Sequence, residues 1–330
     1  MTYLEYYIAI DIGATYLRVA LGNAKGEFKI KLKERTSREK NKYAIAQQII
    51  ELIQRSMPKE IIGKVKAIGI GSIGPLDIRK GVIINPCNLP VEKAEIREPL
   101  MNSFGIPVYM VNDCVAGVYG EWVYGLGRGK KNLVYITFST GIGGGVIVDD
   151  HLLLGKDGNA HEIGHIIVDY EGKMVCGCGG LGHWEAYTSG INIPRYVKYL
   201  IETKYHKNIV ESKLYKYYNE DTITSELVYR LAKEDDTLAL KIIDEIGRIN
   251  AAGLASVINV YDPELITLGG SIILKNPQNL TLEPILKYIG KYILNRMPEI
   301  AITPLGEDVV LYGALALAVK PPDHLRRVQQ

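Results

Sequence analysis

The apolar positions along the chain alternate between the two-residue period of strands and the three-to-four-residue period of helices. Near the start, turns separate three strand-like runs, namely Tyr7–Ile10, Leu17–Leu21 and the alternating positions Phe28, Ile30 and Leu32. Thr36-Ser37-Arg38-Glu39 has the spacing of a helix capping box, and helical periodicity follows until Pro58. The pattern therefore predicts three strands and a helix, followed by a strand over Val65–Ile70.

The same order of strands and turns occurs again in the middle of the chain. The predicted strands of this second copy are Leu133–Ile136, Val146–Val148 and His151–Leu154, and the glycine-rich turn Ser139–Gly145 separates the first two. An internal repeat of this kind predicts an α/β protein with two similarly built domains. The remaining predicted elements are a strand over Ile106–Met110, a helix from Asn112-Asp113 through Trp122, a polar helical stretch over Lys198–Tyr218, a helix over Thr237–Val260, a strand over Leu265–Leu268 and an apolar helix over Leu311–Val319.

Two turns have the composition of phosphate-binding loops. In Asp11–Thr15, glycine lets backbone amides approach an anion and the carboxylate could hold Mg²⁺ through water, although an ordinary tight hairpin also explains the residues. Ser139–Gly145 has four glycines within five residues, which a bulged hairpin does not require. Neither turn is a Walker A motif, because no Gly-Lys-Ser/Thr follows. Two such loops on duplicated frameworks predict that one nucleotide is held from both sides.

Three further motifs have a functional and an ordinary explanation. Asn112-Asp113 opens a helix, so it is either a helix cap or a cap together with a general base. Gly269-Gly270 follows a strand, where it could admit an adenosine or simply end the strand. His161-Glu162-Ile163-Gly164-His165 matches the zinc-protease motif H-E-x-x-H, but Gly164 and the β-branched run Ile166-Ile167-Val168 favour a loop leading into a strand over the helix that a protease needs.

Cysteine and histidine are concentrated in a short segment after the second copy. Cys176, Cys178 and His183 lie within eight residues and could supply three of the four ligands of Zn²⁺, with His165 as the fourth. A disulfide across one intervening residue would be strained. The ligand chemistry favours structural zinc over the alternative of two small buried cysteines beside an exposed histidine. Four protein ligands would make a structural zinc site that does not activate water.

Composition restricts the function classes only weakly. The 330 residues carry a net charge of +2 with 47% hydrophobic and 23% charged residues, which is ordinary for a globular protein and indicates neither a nucleic-acid nor a membrane partner. No apolar run approaches the length of a membrane span, and no signal peptide is evident. Four cysteines in such a chain indicate a reducing compartment, so a cytoplasmic location is expected.

The motifs, in their order and spacing over nearly the whole chain, resemble those of the ROK family of the actin-like ATPase superfamily. Asp11–Thr15 is similar to its D-x-G-G-T loop, Gly69–Pro75 to its G-x-G-x-x-G-P segment, Asn112-Asp113 to its N-D pair, Thr140–Gly145 to its T-G-x-G-G-G loop, Glu162–His165 to its E-x-G-H motif and Cys176–Glu185 to its zinc segment. Ala14 replaces the second glycine of the first loop, and His183 replaces the third zinc cysteine. Gly-His-Trp-Glu resembles the archaeal ATP-dependent glucokinase and hexokinase branch.

The resemblance implies two actin-like, ribonuclease H-like domains around a central cleft, and it implies a hexose kinase with ATP and Mg²⁺. The small domain would comprise residues 1–115 and 311–330, and the large domain residues 116–310. It implies nucleotide contacts from Asp11, Gly13, Ala14, Thr15, Thr140, Gly141, Gly143, Gly269 and Gly270. It implies sugar contacts from Asn88, Asn112, Asp113, Glu162, His165 and Glu185, with Asp113 as the base, and Zn²⁺ bound by His165, Cys176, Cys178 and His183.

The expected reaction is phosphorylation of glucose at its 6-hydroxyl, and the expected assembly is a homodimer or homotetramer. Fructose, mannose, N-acetylmannosamine or N-acetylglucosamine as acceptor is the alternative within the kinase class. A sugar-binding transcription regulator is disfavoured, because the first loop begins ten residues into the chain and leaves no room for a preceding helix-turn-helix module.

Overall fold

Two five-stranded sheets with the same strand order form the framework of the computed structural model, which describes residues 5–86 and 89–329. The strands of the first sheet are β1 Tyr6–Ile12, β2 Tyr16–Gly22, β3 Phe28–Arg35, β4 Val65–Ser72 and β8 Val108–Asn112. Between β4 and β8 the chain forms a small three-stranded sheet of β5 Leu76–Asp77, β6 Val82–Ile84 and β7 Lys93–Glu95. The strands of the second sheet are β9 Leu133–Phe138, β10 Ile142–Val148, β11 His151–Leu152, β12 Leu265–Gly269 and β13 Glu299–Ile302.

The two strand orders correspond position by position. The first sheet runs β3-β2-β1-β4-β8 and the second β11-β10-β9-β12-β13. In the first, β3, β2 and β1 are antiparallel neighbours, whereas β4 and β8 continue parallel to β1. In the second, β10 and β11 pair antiparallel, and β12 and β13 pair parallel. The predicted duplication is confirmed, and it gives the α/β class.

Helices separate the strands and cover the sheets. Their bounds are α1 Ala44–Ser56, α2 Lys59–Ile62, α3 Arg97–Phe104, α4 Asp113–Tyr124, α5 Glu185–Thr188, α6 Ile193–Leu200, α7 Leu214–Asn219, α8 Ser225–Lys233, α9 Thr237–Tyr261, α10 Ser271–Leu274, α11 Leu282–Ile289, α12 Val309–Val319 and α13 Asp323–Gln329. Short 3-10 turns occupy Ile163–His165, Ile209–Glu211, Gln278–Leu280 and Gly306–Asp308, and a π-turn occupies Ile201–Tyr205.

Strand β1 is buried on both faces because alternate residues pack against different helices. Ile8, Ile10 and Ile12 belong to the core that contains the apolar face of α1. Tyr7 and Ala9 belong to a second cluster with α12. At Gly69 on β4, a Cβ atom would overlap the carbonyl oxygen of Ala314, so only glycine lets α12 lie this close to the sheet.

Two local predictions are wrong, and a third is correct only in part. Thr36–Glu39 does not cap a helix: α1 begins at Ala44, and the Thr36 hydroxyl donates to the Gly13 carbonyl instead. Ile166–Val168 forms no strand, only an isolated bridge between Ile167 and His183. The stretch Lys198–Tyr218 is broken into the end of α6, a π-turn, a 3-10 turn and α7.

The chain forms two compact units. The first comprises residues 1–135, 145–161 and 303–330, and the second residues 136–144 and 162–302. Compactness does not define domains that move as bodies, so the domain boundaries given above stay a prediction. Within the described ranges, no helix has both the length and the apolar character required to cross a bilayer.

Candidate active site

The turn between β1 and β2 is fixed from two sides. The Gly13 amide donates to the Tyr16 carbonyl at 3.0 Å, and the Thr36 hydroxyl donates to the Gly13 carbonyl at 2.6 Å. The Thr36 amide also donates to the Thr15 carbonyl at 3.1 Å. Ala14 lies at the tip and does not adopt a positive φ, so its methyl group imposes no backbone strain. Three hydrogen bonds thus connect the backbone of this turn to Tyr16 and Thr36.

Asp11, immediately before this turn, is buried and paired. Arg18 Nε donates to Asp11 Oδ2 at 2.7 Å, and Arg18 Nη2 contacts the same oxygen. Arg18 also donates through Nη1 to the Glu307 carbonyl at 2.7 Å and lies 3.3 Å from Asp308 Oδ1, while Lys31 Nζ lies 2.7 Å from Asp308 Oδ2. Burial raises the pKa of Asp11, and the Arg18 charge opposes the rise.

Asn112 and Asp113 lie at the same edge of the first sheet as this turn. Ile12 at the end of β1 is opposite Ser72, and Ser72 is opposite Asn112 at the end of β8. Because these three strands are parallel, their carboxyl ends share one edge, with two strand spacings of about 4.8 Å each between β1 and β8. The Cys114 amide donates to Asn112 Oδ1 and to Asp113 Oδ1, both at 2.8 Å. Asn112 therefore caps α4, and Asp113 is its first residue.

The second glycine-rich loop is anchored by the segment around α5. The Gly190 amide donates to the Ser139 carbonyl at 2.7 Å, and the Ile191 amide donates to the Thr140 carbonyl at 3.2 Å. The Ile142 amide donates to Glu185 Oε2 at 2.8 Å. Gly141 lies against the same carboxylate, where a side chain would collide with it. Three hydrogen bonds thus fix the backbone on which Thr140, Gly141 and Gly143 lie.

Segment α5 is in turn held on the long helix α9 by one buried amide. Asn250 Oδ1 accepts the Trp184 indole N–H at 2.8 Å and the Thr188 hydroxyl at 2.6 Å. Trp184 is fully buried and meets Phe138 edge to face. Asn250 is the buried polar partner that the indole requires, and it links α9 to the residues next to the loop.

Gly269 and Gly270 end β12 beside the start of this loop. Gly270 has φ of +86° and lies so close to Phe138 that a Cβ would collide with the Phe138 backbone. Ser271 Oγ is 3.3 Å from Ser139 Oγ. The structure therefore brings two of the predicted nucleotide-binding segments together within the second unit. Asn88, which is predicted to contact the sugar, lies outside the described residues.

His165, Cys176, Cys178 and His183 converge, with their ligand atoms within 4.8 Å of one another. His165 Nδ1 is 3.2 Å from His183 Nδ1, 3.8 Å from Cys176 Sγ and 3.6 Å from Cys178 Sγ, and Cys178 Sγ is 3.3 Å from His183 Nδ1. Tetrahedral zinc with ordinary bond lengths separates two nitrogens by about 3.3 Å and a sulfur from a nitrogen by about 3.5 Å. Donor set and spacing both fit Zn²⁺.

Burial shifts the pKa values of two residues of this cluster. Burial raises the pKa of the Cys176 thiol to about 11, so at neutral pH the thiolate needs a cation beside it. Burial, followed by the neighbouring His165, lowers the pKa of His183, which keeps its imidazole neutral. His165 directs Nδ1 into the cluster, whereas its Nε2 is 3.6 Å from Glu162 Oε2. One histidine can therefore serve the cluster and a neighbouring ligand through different nitrogens.

The H-E-x-x-H match does not form a protease motif. Ile163–His165 is a single 3-10 turn, and Glu162 precedes it. His161 is buried with Nε2 hydrogen-bonded to the Gly158 carbonyl at 2.8 Å, whereas His165 joins the cysteines. The expected absence of an α-helix here is confirmed.

Comparison with known proteins matches the fold and the motifs. The ROK family model covers residues 7–320. The chain belongs to the ROK family. It is 36% identical to a glucokinase of Pyrobaculum calidifontis over 97% of either chain. A ROK hexokinase structure from Thermus thermophilus is 28% identical with a TM-score of 0.78, covering 94% of this chain and 97% of the other. A ROK glucokinase from Streptomyces griseus, in complex with glucose and AMPPNP, is 27% identical with a TM-score of 0.73 and covers 94% of this chain and 98% of the other. The predicted ROK membership and actin-like fold are confirmed.

Proposed function

We propose that this ROK protein phosphorylates glucose at the 6-hydroxyl with Mg·ATP. The coarser assignment, an ATP-dependent hexose kinase, rests on family membership and on the glucokinase relative that matches 97% of either chain. That relative is also the observation that carries glucose as the acceptor. A glucose and AMPPNP complex of a 27% identical ROK glucokinase supports the same pair of ligands.

Nucleotide contacts are assigned to residues 11–15, to residues 139–145 and to Gly269-Gly270. Within these segments, the residues proposed to contact the nucleotide are Asp11, Gly13, Ala14, Thr15, Thr140, Gly141, Gly143, Gly269 and Gly270. Hydrogen bonds from neighbouring segments fix the backbone of both glycine-rich turns. This favours the preorganised phosphate-binding site that phosphoryl transfer requires. Asp11 would hold Mg²⁺ through water, because that ion keeps most of its hydration shell.

Asp113 is assigned as the group that accepts the proton of the sugar hydroxyl. Its position at the start of α4 is supported by the cap of Asn112 and by the shared sheet edge with residues 11–15. A loose phosphoryl-transfer transition state demands little activation of the nucleophile, so a carboxylate of ordinary basicity suffices.

The remaining sugar contacts are assigned to Asn88, Asn112, Glu162, His165 and Glu185. Hydrogen-bonding groups of this kind discriminate against sugars that lack the matching hydroxyl, because the groups of the protein would be left unpaired. His165 would use Nε2 toward the sugar while Nδ1 faces the cluster.

His165, Cys176, Cys178 and His183 would hold one structural Zn²⁺. The ion would hold the loop of residues 165–183 to the start of α5 and would take no part in proton transfer, because four protein ligands leave no open position.

The assignment of the acceptor is tested with a sugar panel. ADP release is measured with glucose, fructose, mannose, N-acetylmannosamine and N-acetylglucosamine at equal concentration, and glucose is expected to have the highest kcat/KM. Higher kcat/KM with another sugar would keep the kinase and replace the acceptor. The position of the new phosphate group on glucose is determined by NMR.

The role of Asp113 is tested with Asp113→Asn. The amide oxygen can still accept the Cys114 N–H, so the fold should persist, whereas kcat should fall about 10²–10⁴-fold through loss of the base. Binding of glucose and of Mg·ADP should remain within severalfold of wild type. Exposed Asp157→Asn is the matched control. Glucose-dependent ADP release at the wild-type rate by Asp113→Asn would reject Asp113 as the base.

A further inference from the structure

Ile142, in the second glycine-rich loop, is held between two segments that both carry residues of the Cys/His cluster. Its amide donates to Glu185 Oε2 at 2.8 Å. Its carbonyl lies against Gly164 so closely that a Cβ there would overlap the oxygen. Gly164 immediately precedes His165, and Glu185 is two residues after His183. The two backbone polar groups of one loop residue thus face the two histidine-bearing ends of the cluster.

The segment between those two ends has little regular structure of its own. Residues 166–182 contain turns and isolated β-bridges but no helix or extended strand. Backbone hydrogen bonds around the bridge Ile167–His183, including that from the Trp184 amide to the Ile166 carbonyl at 2.9 Å, and the convergence of the four ligand side chains hold residues 164–165 near residues 183–185. Binding of Zn²⁺ would add a side-chain link to these backbone hydrogen bonds, and would so restrict further the separation between Gly164 and Glu185 and the position of Ile142.

We propose that the Cys/His cluster sets the conformation of residues 139–145 through Glu185 and Gly164, so that Zn²⁺ at the cluster strengthens binding of nucleotide phosphates at the loop. This rests on the proposed function, in which those residues contact the nucleotide. Glu185 is a positioning residue in this role, whether or not it also contacts the sugar. Coupling between sites is reciprocal, so the bound nucleotide must strengthen retention of Zn²⁺ by the same factor.

The first measurement is calorimetric titration of Mg·ADP into the whole protein without sugar, so that no sugar contact of Glu185 contributes. Loss of the Ile142 hydrogen bond in Glu185→Ala is expected to weaken Mg·ADP binding about tenfold. Glu185→Gln keeps a carbonyl oxygen that can accept the Ile142 N–H, so its affinity should stay within about threefold of wild type. Exposed Glu211→Ala is the matched control and should bind normally.

The second measurement perturbs the cluster. His183→Ala should lose Zn²⁺ by metal analysis and bind Mg·ADP about as weakly as Glu185→Ala, whereas exposed His206→Ala should resemble wild type. Cys178→Ser, at the exposed ligand, replaces His183→Ala if that variant does not fold. Adding Glu185→Ala to the cluster variant should weaken binding little further, because both changes act on the same loop residue. Mg·ADP should also reduce the loss of Zn²⁺ from wild type to a chelator.

Wild-type affinity for Mg·ADP in folded Glu185→Ala, or in the folded cluster variant after loss of Zn²⁺, would overturn the coupling. Equal weakening in Glu185→Gln and Glu185→Ala would also overturn it, because the Ile142 hydrogen bond would then not be the cause. Failure of wild type itself to bind Mg·ADP contradicts the proposed function instead. The two failures are therefore distinguishable.

Discussion

Replacing Arg18 by Met would leave the Asp11 carboxylate without its guanidinium partner. The side chains of Arg18 and Asp11 are 19% and 11% exposed, so the pair is largely buried. Removing one partner of a fully buried pair costs about 3–5 kcal/mol, and the remaining exposure reduces the expected loss to about 2–3 kcal/mol. At about 2–4 °C per kcal/mol, Tm should fall by roughly 4–12 °C.

The loss in Arg18→Met should depend on pH in a defined direction. Burial already raises the pKa of Asp11 above its usual 3.8, and Arg18 opposes that rise, so the substitution raises the folded-state pKa further. A carboxyl group whose pKa is raised on folding destabilises the fold when it ionises. The pH-dependent part of the deficit is therefore complete above the folded-state pKa of Asp11 in the variant, and it disappears as the pH falls below the folded-state pKa of Asp11 in wild type.

The assay is urea unfolding of wild type and Arg18→Met at pH 7.5 and near pH 4. The double variant Asp11→Asn/Arg18→Met removes both charges and should recover much of the stability at pH 7.5. Arg18→Lys keeps a charge and should lie between wild type and Arg18→Met. A deficit below about 0.5 kcal/mol at pH 7.5, or one that grows toward pH 4, would refute the reasoning about this pair.

Three further changes test other features. Gly69→Ala should lower the free energy of unfolding by about 1–3 kcal/mol, because the added methyl group pushes α12 away from β4. Gly290→Ala is the control and should change the free energy of unfolding little, because no atom lies near its Cβ position. Equal effects of the two substitutions would contradict the packing argument. Treatment with a zinc chelator should lower Tm and release about one Zn²⁺ per chain, and a wild-type protein without zinc would argue against the cluster as a metal site. Thr303→Val removes the hydroxyl that donates to the buried Glu121 carboxylate, and the free energy of unfolding, measured with denaturant, should fall by about 1–3 kcal/mol. An unchanged unfolding midpoint would show that water replaces the hydroxyl.

The repeated architecture could be predicted because it depends on local patterns. Glycine-rich turns between apolar strands recur in the two copies, and each apolar run became a strand in the predicted order. The Cys/His cluster could also be predicted, because three of its members lie within eight residues and share a ligand chemistry. Both inferences used residues close together in the sequence.

Interactions between distant segments could not be read from the sequence. Thr36 has the spacing of a cap, but its hydroxyl is used by Gly13, and α1 begins later at Ala44. Arg18 interrupts an apolar strand, a signal that could have marked it as the partner of a buried acid. Asn250 lies in the middle of a long helix, and nothing in its local sequence indicates that it accepts the Trp184 indole. In each of these cases, the role of the residue depends on a partner that the sequence pattern around it does not identify.

Helix α12 has a consequence for how the chain matures during synthesis. It covers the Tyr7 and Ala9 side of the first sheet, yet it is formed by residues 309–319, so that face remains uncovered while the intervening residues leave the ribosome. Domains usually fold as they emerge, N-terminal first. Here the first unit cannot complete its core until residues 309–319 have been translated, and a nascent chain stalled before residue 309 would present apolar strand surface to chaperones.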